Sequence, residues 1–283
     1  MELGYAAGLG LSAVFAGVVG AMLGLGGGVI IVPLYTLGFG LPVHVAVGTS
    51  LVAVVANAST ATTVYLKTRL TNVRLALILG GVTAAGALLG GFIGTSLSGA
   101  WLGGTFGALL LGVGLMMLLR PDRTPRPGPA LARAEAGGEG DLDGSYYDPA
   151  AGTSVAYRPV GARRGLTFSF LAGTTAGTLG IGGGVIQVPV MNLLLGLPMK
   201  AATATSSHII SLTAAAGAGV YAARGFVDPV ITAVTIIGVI VGSRTGAWLA
   251  QVLPGAVIKK VFAVVLFYMA LRMLAQAFGL PLF

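Results

Sequence analysis

The sequence is organised around a ten-residue segment of glycines, aliphatic residues and one proline that occurs twice. Residues 24–33 read GLGGGVIIVP, residues 180–189 read GIGGGVIQVP, and eight of the ten positions are identical. At the same offset further short matches recur: GLP at 40–42 and 196–198, and Thr-Ser at Thr49-Ser50 and Thr205-Ser206. The chain is therefore a duplicated unit.

The composition places this duplicated unit in a membrane. Hydrophobic residues make up 55% of the chain, charged residues make up 8%, and the mean hydropathy is +0.94. A soluble domain usually has about 25% charged residues. The apolar runs are much longer than the ~10-residue alternating strands of a membrane barrel, so the membrane segments are predicted to be helices.

Each copy of the glycine segment lies inside an apolar run. The first run covers residues 3–39, and a continuous helix of that length, at about 1.5 Å per residue, would exceed the ~30 Å hydrocarbon core. Glycine costs about 1 kcal/mol against alanine in a helix, and proline removes a helical hydrogen bond. The sequence therefore predicts a helix break at the glycines, and matching breaks in two halves indicate the binding site of a transporter.

We assign the glycines of both breaks to the substrate path: Gly26, Gly27, Gly28, Gly182, Gly183 and Gly184. Exposed amides of a broken helix can bind a ligand, and the N-terminus of a half-helix favours an anion. The alternative is that these glycines only let helices pack closely, as small residues do in membranes. For isolated glycines such as Gly86 and Gly90, we favour this packing explanation.

The predicted fold is an all-α integral membrane protein with two repeats, 1–119 and 166–283. The helices are predicted at 3–23, 28–39, 44–66, 73–97, 101–119, 166–181, 184–197, 201–223, 229–250 and 257–278. If all of these cross the membrane, each half has five spans and the repeats are inverted. If each broken pair makes one crossing, there are eight spans and the repeats are parallel. We favour the inverted arrangement, and the sequence leaves both open.

Residues 120–165 separate the repeats and are rich in proline, glycine and charged residues. Such a composition has no hydrophobic pattern to fold around, so we expect a partly disordered linker. Its arginines place it in the cytoplasm by the positive-inside rule, and the loop with Lys67, Arg69 and Arg74 is placed there by the same rule. Two crossings separate the loop from the linker, so the two placements agree.

Acidic residues are almost confined to this linker. Of the eight Asp and Glu residues, only Glu2 and Asp228 lie outside it, whereas nine Lys and Arg residues do. Carboxylates are the usual relay groups of proton pumps and preferred ligands of hard cations. The balance therefore favours an anion as the substrate, and no cofactor or metal site is expected.

Uncharged polar residues inside the predicted helices are the other candidates for substrate binding: Thr49, Ser50, Asn57, Gln187, Thr205, Ser206 and Ser207. Hydroxyl and amide groups donate hydrogen bonds without adding negative charge, which suits an oxyanion. The alternative is that the hydroxyls bond to the backbone of their own helix, as is common in membrane helices.

Two titratable residues complete the candidate site. His208 follows the second Thr-Ser-Ser run and could bind the substrate or a proton, or could be a structural histidine bonded to a carbonyl. Arg244 lies late in an apolar helix, where an intramembrane charge indicates function. The alternative for Arg244, which we favour, is that its side chain reaches the membrane interface.

The paired pattern G-L-G-G-G-x-I-x-V-P and G-L-P-x-x-x-A-x-x-T-S, present in the first half and with few changes in the second, resembles the TauE/SafE family. The resemblance implies a permease of the bacterial or archaeal plasma membrane that exports sulfite, sulfoacetate or related organosulfonates. It also implies that the glycine breaks and the Thr-Ser pairs line the path. The motifs are specific for the family and do not identify the substrate.

Three functions are compatible with these observations. The first is a secondary transporter of a small anion, because no ATP-binding or other enzyme motif occurs in the sequence. The second is a passive anion channel of the same fold, and the third is a scaffold or accessory subunit that docks through the linker. The expected partners are the lipid bilayer and a small anion, with no nucleic acid, and a homodimer is left open.

Overall fold

The computed structural model describes residues 3–119, 142–149 and 152–277, and most of them are helical. The first half contains α1 (Leu3–Leu23), α2 (Gly28–Pro33), α3 (Val43–Lys67), α4 (Val73–Ser96) and α5 (Gly99–Leu119). The second half contains α6 (Ala162–Leu179), α7 (Gly184–Pro189), α8 (Met199–Ala223), α9 (Pro229–Val252) and α10 (Gly255–Ala277). Within the described residues, α1, α3, α4 and α9 are long and apolar enough to cross a membrane.

The helix breaks are confirmed at both glycine segments. Each short helix, α2 and α7, ends at its proline and continues into one π-helical turn, Leu34–Gly38 in the first half and Val190–Leu194 in the second. Proline has no N–H to donate to the preceding turn, which favours a local widening of the helix. The other helix bounds differ from the predicted ones by a few residues, and the largest difference is the earlier start of α6.

The structure differs from the sequence prediction within the linker. Strands β1 (Gly144–Asp148) and β2 (Thr153–Tyr157) form an antiparallel hairpin. The hairpin is held by two buried tyrosines, Tyr146 and Tyr157, which a search for long apolar runs does not detect. Burial raises the pKa of the Tyr157 hydroxyl to about 12, although a hydrogen bond with the Asn72 side chain opposes the shift. Residues 120–141 of the predicted linker lie outside the described part.

Helices of the two halves pack against each other in equivalent pairs. Helix α1 packs on α9 as α6 packs on α4, and α3 lies against its own equivalent, α8. Glycines four residues apart allow the close approach: a Cβ at Gly86 or Gly90 of α4 would overlap a backbone carbonyl of α6. The packing explanation for these two glycines is therefore confirmed, and it matches the small-residue interfaces of membrane helices.

The helix α3 ends beside the start of α8. In the loop after α3, the Thr71 hydroxyl lies 3.5 Å from the Ala204 carbonyl, and the Asn72 amide donates to Thr205 Oγ1 at 3.0 Å. At the other end of α3, the His44 ring stacks on Phe226, in the loop after α8, with the ring centroids 5.0 Å apart. The two central helices, α3 and α8, therefore run in opposite directions.

The substitution Gly90→Ala is expected to lower the thermal stability of the purified protein. Its Cβ would overlap the Thr174 carbonyl, and overpacking of this kind costs about 1–3 kcal/mol. Gly81→Ala, on the same helix, is the matched control because a Cβ there meets no atom within 4 Å. The unfolding temperature in detergent measures both variants, and equal temperatures would contradict the packing role.

Candidate functional site

The two glycine breaks form sharp turns that only glycine adopts readily. Gly27 and Gly183 are the residues before α2 and α7, with φ of +87° and +90°. A residue with a Cβ is strained in this left-handed region, and glycine is not. The repeated glycines are therefore required by the backbone path of each turn.

The two turns meet each other at the interface between the halves. A Cβ at Gly28 would overlap the Gly180 carbonyl of the second turn, and a Cβ at Gly184 would overlap the Gly24 carbonyl of the first. The backbones of the two turns are therefore in direct contact. The structure brings all six predicted glycines into this one region.

A reciprocal pair of serine hydrogen bonds joins the two turns to the central helices. Ser50 of α3 donates to the Gly180 carbonyl at 2.8 Å, and Ser206 of α8 donates to the Gly24 carbonyl at 2.9 Å. Both serines are fully buried. The carbonyls at the end of a helix have no partner within it, and here a hydroxyl from the opposite half supplies one.

Two aliphatic side chains fill the space between the turns. A Cβ at Gly26 or at Gly182 would come within 3.0 Å of both Val54 and Ile210. Val54 and Ile210 occupy the same position in the two repeats, on α3 and α8. The centre of the polar region is therefore closed by an apolar pair that contacts both turns.

Asn57 lies against the first glycine turn. Its side chain is fully buried, and neither amide atom has a hydrogen-bond partner among the described residues. The Nδ2 atom would lie 2.8 Å from a Cβ at Gly20 and 3.0 Å from a Cβ at Gly27. Burying an amide without a partner costs about 1–3 kcal/mol, so this side chain is poor for stability and suited to bind a ligand.

The position equivalent to Asn57 in the second half is Thr213, and it behaves differently. Its hydroxyl donates to the Ile209 carbonyl of its own helix at 2.9 Å. The two halves therefore share the serine bonds and differ at this position.

The two predicted threonines, Thr49 and Thr205, are buried, and each already contacts a polar group of a neighbouring segment. Thr49 Oγ1 lies 3.4 Å from Thr232 Oγ1, and Thr205 accepts the Asn72 amide. These contacts tie each Thr-Ser pair to the start of a neighbouring helix.

Gln187, which lies in α7, is also fully buried. Its amide nitrogen donates to Ser169 at 3.0 Å, and its Oε1 has no partner among the described residues. Sequence reasoning missed Ser169 and Thr232 because neither belongs to a repeated motif.

The structure does not bring the remaining three candidates into the cluster. Ser207 bonds to the Thr203 carbonyl of its own helix, as the alternative explanation expects. His208 is half-buried, and it lies on the opposite side of α8 from Ser206 because two residues turn a helix by about 200°. Arg244 is exposed on α9, which agrees with a side chain that reaches towards the membrane surface.

A family model described as "Sulfite exporter TauE/SafE" matches residues 9–273 of this chain. The chain belongs to the TauE/SafE family. It is 26% identical to probable membrane transporter protein YunE of Bacillus subtilis, over 92% of this chain and 94% of YunE. It is 30% identical to probable membrane transporter protein MamO of Magnetospirillum gryphiswaldense, over 94% of this chain and 44% of MamO. No solved structure matches the chain.

The chain is therefore a multi-pass membrane transporter of the TauE/SafE family. The family match covers both repeats and both glycine turns. The chain spans less than half the length of MamO, so MamO has further sequence outside the part that the two proteins share.

The substitution Ser50→Ala or Ser206→Ala is expected to lower the thermal stability, because each leaves a buried carbonyl without its donor. The expected cost is about 1–3 kcal/mol for each variant. Ser59→Ala is the control, since Ser59 is an exposed residue of the same helix as Ser50. Unfolding temperatures in detergent measure the effect, and unchanged values for both serine variants would contradict the bridging role.

Proposed function

We propose that this transporter carries a small sulfur oxyanion or sulfonate, such as sulfite or sulfoacetate, out of the cell without ATP. The observation that carries the proposal is the unpartnered Asn57 amide, whose nitrogen lies against the first glycine turn. An amide nitrogen donates hydrogen bonds to an oxyanion without introducing a competing negative charge.

The charge distribution supports an anion as the substrate. Between residues 3 and 119 there is no Asp or Glu, and between 162 and 277 the only one is Asp228. Asp228 accepts hydrogen bonds from the amides of Val230 and Ile231 at 2.9 Å each, so it serves as the cap of α9. A cation would find no carboxylate near the glycine turns, whereas an anion meets no repulsion there.

The proposed orientation in the membrane is supported by the loops. The Asn72 side chain donates to the Leu142 carbonyl at 2.9 Å, so the loop after α3 and the start of the hairpin lie on one face. Lys67 at the end of α3 and Arg69 in that loop support the cytoplasmic side for this face. The opposite directions of α3 and α8 support the inverted arrangement of the repeats.

The apolar pair at the centre favours a carrier over a standing channel. Val54 and Ile210 contact both turns, so an anion can pass only when these side chains and the turns move apart. A carrier of the inverted-repeat class makes such a movement when one repeat rocks against the other around a fixed site.

Thermal stability in the presence of candidate anions tests the substrate class. Sulfite, sulfate, thiosulfate, sulfoacetate, taurine and chloride are compared at matched ionic strength, because binding to the folded state raises apparent stability. We expect a selective rise with sulfite or a sulfonate. An equal rise with chloride, or no rise with any sulfur anion, would contradict the proposed substrate class.

The substitution Asn57→Leu is expected to keep or raise the stability and to abolish most of the anion flux. Leucine has the same number and branching of side-chain heavy atoms and removes the buried unpartnered amide, so the fold loses no hydrogen bond. Flux into proteoliposomes and unfolding temperature are measured together. Thr213→Val is the matched control because it alters the equivalent position of the other half. Full flux in Asn57→Leu would overturn the assignment of this side chain.

A further inference from the structure

We propose that Lys200 forms a second anion site at the hairpin face, and that the carboxylate of Asp148 occupies it when the transported anion is absent. This inference rests on the proposed function, because the ligand is the same small oxyanion or sulfonate. The hairpin thereby covers a mouth of the substrate path, and its Asp148 carboxylate competes with the transported anion for Lys200.

The Lys200 ammonium group is buried between the hairpin and the membrane helices. Its side chain is 3% exposed, and Nζ lies 2.8 Å from Asp148 Oδ1 and 2.9 Å from the Gln251 carbonyl. Lysine is rarely buried unless its charge is paired. An ammonium in this position therefore requires an anionic partner, which the Asp148 carboxylate supplies.

A cavity of about 250 Å³ adjoins this ion pair. It is lined by Thr68, Leu70, Tyr147, Pro149, Lys200 and Gln251. Its walls come from three parts of the molecule: the loop after α3, the tip of the hairpin and the ends of α8 and α9. The cavity gives a small anion room beside the ammonium group that Asp148 neutralises.

The same loop connects this cavity to the polar cluster at the glycine turns. Asn72 donates its backbone amide to Thr205, and its side chain donates to the Leu142 carbonyl at the start of the hairpin. Lys200 and Thr205 both lie on the first two turns of α8. The backbones of Lys200 and Thr205 are therefore about 7.5 Å apart along the helix axis.

Competition for Lys200 explains how an anion could open this mouth. A buried ammonium that loses the carboxylate paired with it is strongly destabilised, so Asp148 leaves readily only when another anion replaces it. A sulfonate or sulfite oxygen can take the carboxylate position, since all three are charge-assisted acceptors of a lysine hydrogen bond. The hairpin then loses its ion pair with α8 and keeps its hydrogen bond from the Asn72 side chain to the Leu142 carbonyl.

The equivalent position in the first half has none of these features. His44 replaces Lys200, its Nε2 lies 3.0 Å from the Leu97 carbonyl, and its ring stacks on Phe226. The lysine site is therefore specific to the face that carries the hairpin.

The concentration dependence of sulfoacetate flux in proteoliposomes tests the proposal. Asp148→Asn removes the competitor, so the half-saturating concentration should fall about tenfold, which corresponds to about 1.4 kcal/mol. Lys200→Gln removes the charge that attracts the anion, so the half-saturating concentration should rise by about the same factor. Unchanged values in both variants would overturn the proposal.

Asp143→Asn is the matched control on the same hairpin. Asp143 precedes β1, at the opposite end of the strand from Asp148, and lies 3.6 Å from the more exposed Arg158. The substitution makes the same change of carboxylate to amide. Its half-saturating concentration should equal that of the wild type. If it falls as far as that of Asp148→Asn, the effect belongs to the hairpin charge in general and the Lys200 site is refuted.

A labelling experiment tests the site without any flux measurement. The chain has no cysteine, so a single Leu70→Cys substitution places a thiol in the cavity wall, where Leu70 is 4% exposed. Sulfate or sulfoacetate should accelerate its reaction with a maleimide, and Asp148→Asn should make the reaction fast without either anion. A rate that neither change affects would overturn the proposal.

The outcomes separate this proposal from the proposed function. Flux that is lost in Asn57→Leu and is unchanged in the Lys200 and Asp148 variants refutes only the second site. Absence of flux in the wild type for every sulfur anion refutes the proposed function, while anion-accelerated labelling of the Leu70→Cys variant would still support binding at Lys200.

Discussion

The structure depends on one requirement: the backbone carbonyls at a broken helix end need hydrogen-bond donors where no water is available. A helix interrupted within the hydrocarbon region leaves such groups open, and each one costs several kcal/mol if it stays unpaired. Here Ser50 and Ser206 supply the donors, each to the break in the other half. Neither half can satisfy its own break in this way, so the requirement joins the two repeats into one unit.

The same arrangement distinguishes residues common to both halves from residues found in one half. The serines and the glycines are common to both halves and form the frame, whereas Asn57, Gln187 and Lys200 each occur in one half only. Of their equivalents, Thr213 bonds to its own helix, Ile31 is apolar, and His44 stacks on the Phe226 ring. In the proposed transporter, recognition of the anion is therefore added to a symmetric frame at positions where the symmetry is broken.

The repeat made much of the fold predictable from sequence. Long apolar runs and the duplicated glycines predicted the helices and their breaks, because both signals are local. Partners between halves were not predictable, since the contact of Ser50 with Gly180 joins residues 130 positions apart. The hairpin was not predicted because its buried residues include two separate tyrosines, which form no apolar run in the sequence. Val54 and Ile210 could have been found, because they share one position in the repeat and lie one turn past the serines.

The two mouths of the proposed path carry different polar groups, Lys200 with Asp148 on one face and His44 on the other. A ligand shifts an equilibrium only by its differential affinity for the two states. An anion that binds better at the lysine mouth would therefore give unequal half-saturation constants from the two sides of the membrane. Microscopic reversibility requires the maximal rates in the two directions to differ in compensation. The asymmetry therefore sets the anion concentration at which efflux responds, whereas the electrochemical gradient sets the final distribution of the anion.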